Sequence, residues 1–210
     1  MADKVSFSGY SVVSCGTMRP ELEKLRETGF LDAKKVLYTA PGLHERPQEL
    51  EAQLARRLDD AGKLSDNVIV VYGEKCFIDT RDPSRVTDTL IQENCPGATR
   101  VNASNCVDML ASKEERGTIA GGERVYWLTP GWVQHWSFIF RDWDAAMANE
   151  TFPQHDKAIV LDGIGFFNEY VERSPERILE ISDWMKLGIE SHAVSFERLK
   201  RLLVDCLRSR

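Results

Sequence analysis

The sequence predicts an α/β protein whose sheet is largely parallel and flanked by helices, with two similar α/β lobes as one arrangement of it. Three observations predict it. Strand-like and helix-like stretches alternate about seven times along the chain. Strands such as Val68-Ile69-Val70-Val71 are apolar on both faces, as burial in the middle of a parallel sheet requires. The repeating unit spans roughly 30 residues, the length of one strand plus its crossover helix.

The elements follow in order. A first strand, from Tyr10, ends at Cys15. Thr17 suits an N-cap, Pro20 and Glu21 suit the first turn of a helix carrying Leu22 and Leu25, and Gly29 suits its end. The strand around Val36 to Tyr38 runs into Pro41-Gly42 and then His44. Pro47 opens the clearest helix, with Leu50, Leu54 and Leu58 on one face and Gly62 past its end. After the third strand comes Cys76, then Asp82 and Pro83 as the start of a helix bearing Val86, Leu90 and Ile91. A short strand near Thr99 to Asn102 precedes Cys106.

The polar, glycine-containing stretch from Lys113 to Glu123 is the best lobe boundary, dividing residues 1–116 from 117–210. The second half begins with a strand from Val125 to Leu128. It continues into Thr129-Pro130-Gly131-Trp132 and an aromatic helix carrying Trp136, Ile139, Phe140, Trp143 and Met147. Asn149 to Asp156 reads as a polar loop. The strand Ala158 to Leu161 runs into Asp162-Gly163-Ile164-Gly165. A helix from Ser174-Pro175 to Gly188, a strand from Ile189 to Val194 and a helix from Ser195 to Leu207 complete the chain.

Of the 210 residues, 42% are hydrophobic and 29% charged, which is enough apolar material for one large or two small cores. The net charge of −6 opposes binding to nucleic acid or an anionic membrane. No run approaches the roughly 18 apolar residues that span a bilayer. The N-terminus lacks the apolar core of a signal peptide, so a cytoplasmic location is expected. In that reducing compartment, five cysteines are expected as thiols or metal ligands rather than disulfides.

Four residues stand just after successive strands: Cys15, His44, Cys76 and Cys106. The separations from 15 to 44, 44 to 76 and 76 to 106 are 29, 32 and 30 residues. Parallel strands all end at one edge, so side chains placed there can meet in one crevice. Three cysteines and one histidine satisfy four-coordinate zinc, with a local charge of −1. If His44 stays loose, the three thiolates leave an open coordination position. An iron–sulfur cluster is the competing occupant. Glu45, Asp79 and Asp108 are placed to hydrogen-bond the ligands. Scattered core thiols with a loop histidine account for the same residues without a metal. Cys95 and Cys206 fit that reading better and are not assigned to the site.

A second constellation joins Thr129, Gly131 and Trp132 to Asp162 and its glycines. Both turns follow strands, and together they form a candidate cofactor-binding floor at the same edge. Tight strand-to-helix turns explain the same residues without any ligand. The dinucleotide fingerprint, the phosphate loop, the G-x-S-x-G elbow and H-E-x-x-H are absent. His135, His155 and His192 have no partner spacing.

These motifs together resemble a known family. Cys15-Gly16 with Arg19-Pro20-Glu21-Leu22, Gly42-Leu43-His44 with Arg46-Pro47, Tyr72-Gly73 with Cys76, Asn105-Cys106 and Leu128-Thr129-Pro130-Gly131-Trp132 are similar to the bacterial and archaeal domain of unknown function 1638. The likeness is order-preserving and runs to about residue 165. Two details depart from its pattern: Phe77 stands where a Gly follows the cysteine, and Asp108 comes two residues after Cys106. Members are often encoded near corrinoid-dependent methyltransferases. The resemblance therefore implies one-carbon chemistry, with a small methyl donor or acceptor and a corrinoid supplied by a partner protein. The resulting expectation is a zinc–thiolate protein, with a zinc-dependent methyltransferase as its enzymatic form. An iron–sulfur redox or sensing module and a non-enzymatic corrinoid- or metal-binding accessory protein are the alternatives.

Overall fold

β1 (Tyr10–Ser14) forms because four of its five residues are buried on both faces, which leaves its backbone no partner but neighbouring strands. The computed structural model describes residues 5–208. α1 (Arg19–Glu27) follows, with Pro20 in its first turn. Then come β2 (Lys35–Tyr38), α2 (Pro47–Leu64), β3 (Asn67–Val71), α3 (Thr87–Asn94) and β4 (Thr99–Arg100). These strands make one parallel sheet in the order β2-β1-β3-β4, with Val12 opposite Val36 and Ile69.

α4 (Cys106–Leu110) and α5 (Lys113–Ala120) lead to β5 (Val125–Leu128). α6 (Pro130–Gln134), α7 (Trp136–Ile139), α8 (Ala145–Thr151), β6 (Lys157–Asp162), α9 (Phe166–Arg173), α10 (Pro175–Met185), β7 (Ile189–Ala193) and α11 (Glu197–Arg208) follow. The second sheet is also parallel, in the order β5-β6-β7. Two parallel sheets flanked by helices make this an α/β protein.

Three apolar cores hold these layers. Leu50, Leu54, Leu58 and Ala61 of α2 meet Val13, Val68 and Val70 on one face of the first sheet. On its other face, Val12, Val36 and Ile69 pack with Leu22 and Leu25 of α1 and with Leu199, Leu202 and Leu203 of α11. Leu161 of the second sheet belongs to this same core, so the layer containing α1 and α11 is shared between the sheets. The third core lies on the far side of the second sheet, around Trp132, Phe140, Phe152 and Met185. The last helix thus returns from the second half to bury its face against the first. Among the described residues, no helix is long and apolar enough to cross a membrane.

Several local expectations give way to tertiary packing. The single aromatic helix is three short ones, broken at His135 (φ −109°, ψ 19°) and at Phe140 (φ −97°, ψ 16°). The breaks let rings from different segments gather: Trp136 lies 4.2 Å from Phe140 and 4.8 Å from Trp184 between centroids. The polar loop from Asn149 is helical to Thr151 and then makes a 3-10 turn. Phe152, fully buried in that turn, anchors it. The helix expected at Pro83 begins at Thr87, because Asp82 closes a local turn by accepting from the Ser84 N–H at 3.1 Å. The boundary stretch holds α5, capped by Ser112 and ended by Gly121 at φ 60°.

Candidate functional site

The carboxyl ends of the first sheet's strands deliver the four predicted residues to one place. Cys15 follows β1 directly, His44 lies in the 3-10 turn after β2, Cys76 in the 3-10 turn after β3, and Cys106 opens α4. All four line a single narrow cavity together with Met18, Tyr72 and Trp132. It leaves about 20 Å³ for the centre of a water-sized sphere. One water needs roughly 10–15 Å³ by that measure, so the space suits one ion or one small molecule.

Glycines bring the loops together. A Cβ on Gly73 would lie 2.4 Å from the Ser104 carbonyl oxygen, so only glycine lets the Cys76 turn lie on the loop before Cys106. That contact is fixed by N–H groups of Glu74 and Lys75 donating to the carbonyls of Ala103 and Ser104, at 2.9 and 3.2 Å. A Cβ on Gly131 would lie 2.1 Å from the Thr17 carbonyl oxygen. Here the second half presses its Thr129-to-Trp132 turn onto the Cys15 loop and supplies the Trp132 wall.

The sulfurs sit in distinct surroundings. Cys15 Sγ accepts a hydrogen bond from the Thr17 hydroxyl at 3.1 Å. The buried Tyr72 hydroxyl, paired with Thr39 Oγ1, faces the same sulfur. Burial holds the Tyr72 phenol well above its usual range, and the neighbouring Cys15 adds to this. Burial also pushes the Cys76 thiol upward, followed by the effect of Cys106 and Cys15. Cys106 is pushed up to about 12, by burial first and then by Cys15, against a hydrogen bond from the Trp132 indole. The three thiols are therefore close enough to oppose one another's ionisation. Among the described residues, no three His, Cys, Asp or Glu side chains stand ready in a metal-holding arrangement.

His44 borders the cavity with its Nε2 3.2 Å from Glu45 Oε1 and its ring 5.3 Å from that of Trp132. Glu45 also accepts from the Trp143 indole at 3.2 Å, and its carboxyl lies below the usual range, chiefly through His44. The expected partner of a ligand histidine is thus present. Asp79 instead pairs with Arg85 at 3.2 Å, and Asp108 with Arg198 at 3.0 Å. In the second constellation, only Trp132 reaches the cavity. Thr129 is fully buried with its hydroxyl unpartnered. Asp162 accepts from the N–H groups of Ile164, Phe166 and Phe167 at 3.0, 3.1 and 2.8 Å, capping α9.

Glu21 emerges only from the structure. It is 0% exposed, and neither carboxylate oxygen has a hydrogen-bond partner. Burial raises its pKa to about 8, against a lowering pull from its own backbone N–H, and Asp162 adds a smaller upward push. Its influence also reaches Cys106. The sequence does carry a signal: Glu21 and Leu25 are four apart, so an acid shares the apolar face of α1.

Comparison with known families now bears on these residues. A family model described as a protein of unknown function (DUF1638) matches residues 38–203. The chain belongs to this family. The DUF1638 stretch contains His44, Cys76, Cys106 and the Thr129-to-Trp132 turn, and it starts beyond Cys15. No curated protein and no solved structure matches the chain.

Proposed function

We propose that this DUF1638 protein is a metal–thiolate protein, with zinc the favoured ion, acting in one-carbon transfer. One observation carries the reading: three cysteines and a histidine from four separate strand ends line one cavity that takes about one small ion. Cys15, Cys76 and Cys106 would hold the ion, with His44 as fourth or displaceable ligand, and the side chains must converge further to do so. The donor set fits zinc, because soft thiolates and a carboxylate-paired imidazole are the ligands that ion favours. A bound zinc ion would supply Lewis acidity toward a thiol or substrate heteroatom. The chain's own residues set the rest. Thr17 and Tyr72 orient the Cys15 sulfur, Glu45 fixes the His44 ring, and Trp132 and Met18 keep bulk water from the sulfurs. The link to corrinoid-dependent methyl transfer, with the corrinoid on a partner protein, rests on the resemblance alone.

Metal analysis of protein purified without oxygen tests the reading. About one zinc per chain is expected, with bound metal reduced in Cys15→Ser, Cys76→Ser, Cys106→Ser and His44→Ala but not in Cys95→Ser or Cys206→Ser. A brown protein absorbing near 400 nm (roughly the region of iron–thiolate charge transfer) would replace zinc with an iron–sulfur cluster. Metal-free protein that also fails to take up added zinc would end the proposal.

A further inference from the structure

A second cavity lies away from the thiols, between α5 and the turn joining β7 to α11. It offers about 360 Å³ for the centre of a water-sized sphere, far more than the thiol cavity. A cleft at the carboxyl end of a parallel strand is where open α/β sheets bind ligands, and a largely apolar lining with a few polar groups is what small-molecule sites share. Leu110, Ile119 and Val194 give the apolar part.

The charges around it can be accounted for one by one. Arg198 is committed to Asp108 at 3.0 Å. Glu115 accepts from the Ser112 N–H at 2.6 Å, and Glu197 pairs with Lys200 at 2.9 Å. Arg201 lies one turn beyond Arg198 and also lines the cavity, yet among the described residues it makes no hydrogen bond or ion pair. Its electrostatic neighbour is Glu115, which the capping interaction already holds. His192, near the end of β7, also lines it and is exposed. The cleft therefore presents one exposed guanidinium without a hydrogen-bond partner among the described residues and one exposed imidazole beside the apolar side chains of Leu110, Ile119 and Val194.

We propose that this cavity binds a small carboxylate carrying a short apolar chain, with Arg201 gripping the carboxylate, His192 assisting and Ile119 and Val194 covering the chain. A planar guanidinium matches a carboxylate with two parallel hydrogen bonds. The site is separate from the thiols, so it stands or falls independently of the metal reading.

The test uses the full chain and sodium butyrate as probe, followed by two-dimensional amide NMR with sodium chloride at equal ionic strength as reference. Saturable shifts at Ile119, Val194 and Ser195 are expected, with a dissociation constant on the order of a millimolar. Arg201→Ala is expected to weaken binding at least about tenfold, and uncharged butyramide to bind at least about tenfold more weakly than butyrate. Arg173→Ala, an exposed arginine on α9, should leave the butyrate response unchanged. Absence of saturable shifts, equal binding by the Arg201 variant, or equal binding of butyramide would each overturn the assignment.

Discussion

Replacing Glu21 by Gln should change the pH dependence of stability between about pH 5 and 8. The carboxyl is fully buried with no side-chain partner, its own backbone N–H only partly offsets that burial, and its pKa rises from 4.5 to about 8 in the folded protein. Between those values the folded chain holds a proton that the unfolded chain has released. Stability therefore falls as pH rises through this window, by about 1.4 kcal/mol per pH unit. Over the window of about 3.5 pH units, the loss is on the order of 5 kcal/mol. Gln is close in size and stays neutral, so it removes this dependence while keeping the packing. Urea unfolding of both proteins with a chelator present, at pH 5, 6, 7 and 8, measures the difference. At pH 5 the two should be nearly equal. By pH 8 the variant should be the more stable by several kcal/mol. Parallel stability curves across this range would refute the reasoning, because a carboxyl that ionises freely in the fold cannot lack partners and water together.

Other expected outcomes follow from specific contacts. Gly131→Ala and Gly73→Ala press a Cβ against backbone carbonyls that cannot move aside, and each should cost about 2–4 kcal/mol in urea unfolding. Burial alone would raise the pKa of Asp108, but the Ser104 N–H, Arg198 and Arg116 outweigh it and bring it down. Its stabilisation is present above about 3.8 and fades as pH falls through the lower folded value, so Asp108→Asn should cost roughly 2–3 kcal/mol at pH 7 and less in acid. Arg124→Ala breaks a pair with Asp156 that lies at the surface, and its Tm should match wild type. Thr17→Val removes the hydroxyl that donates to Cys15 and should lower zinc affinity measurably in a competition titration, with Thr17→Ser restoring it.

The fold class was legible because burial on both faces leaves a plain mark: Val12-Val13 in β1 and Val68 to Val71 in β3 are consecutive apolar residues, and the leucines of α2 recur at helical spacing. The family was legible in its short motifs, and the model match from residue 38 to 203 agrees. That Cys15, His44, Cys76 and Cys106 line one cavity was legible as well, since parallel strands end at one edge, although among the described residues they do not stand in a metal-holding arrangement. Less could be read where segments distant in sequence decide the outcome. The aromatic helix breaks because Trp136 and Phe140 pack against Trp184, 48 and 44 residues further on by position.

What the sequence determined by itself is local: which stretches bury both faces, where helices start, and which chemical groups stand after each strand. Only the tertiary structure decided that α11 returns to the first sheet's core, that Trp132 from the second half walls the thiol cavity, and that Glu21 is sealed from water. The reason is physical. Periodicity and capping act over one or two helical turns. A cavity's size, or a carboxyl's loss of its last partner, depends on which distant surfaces displace water there.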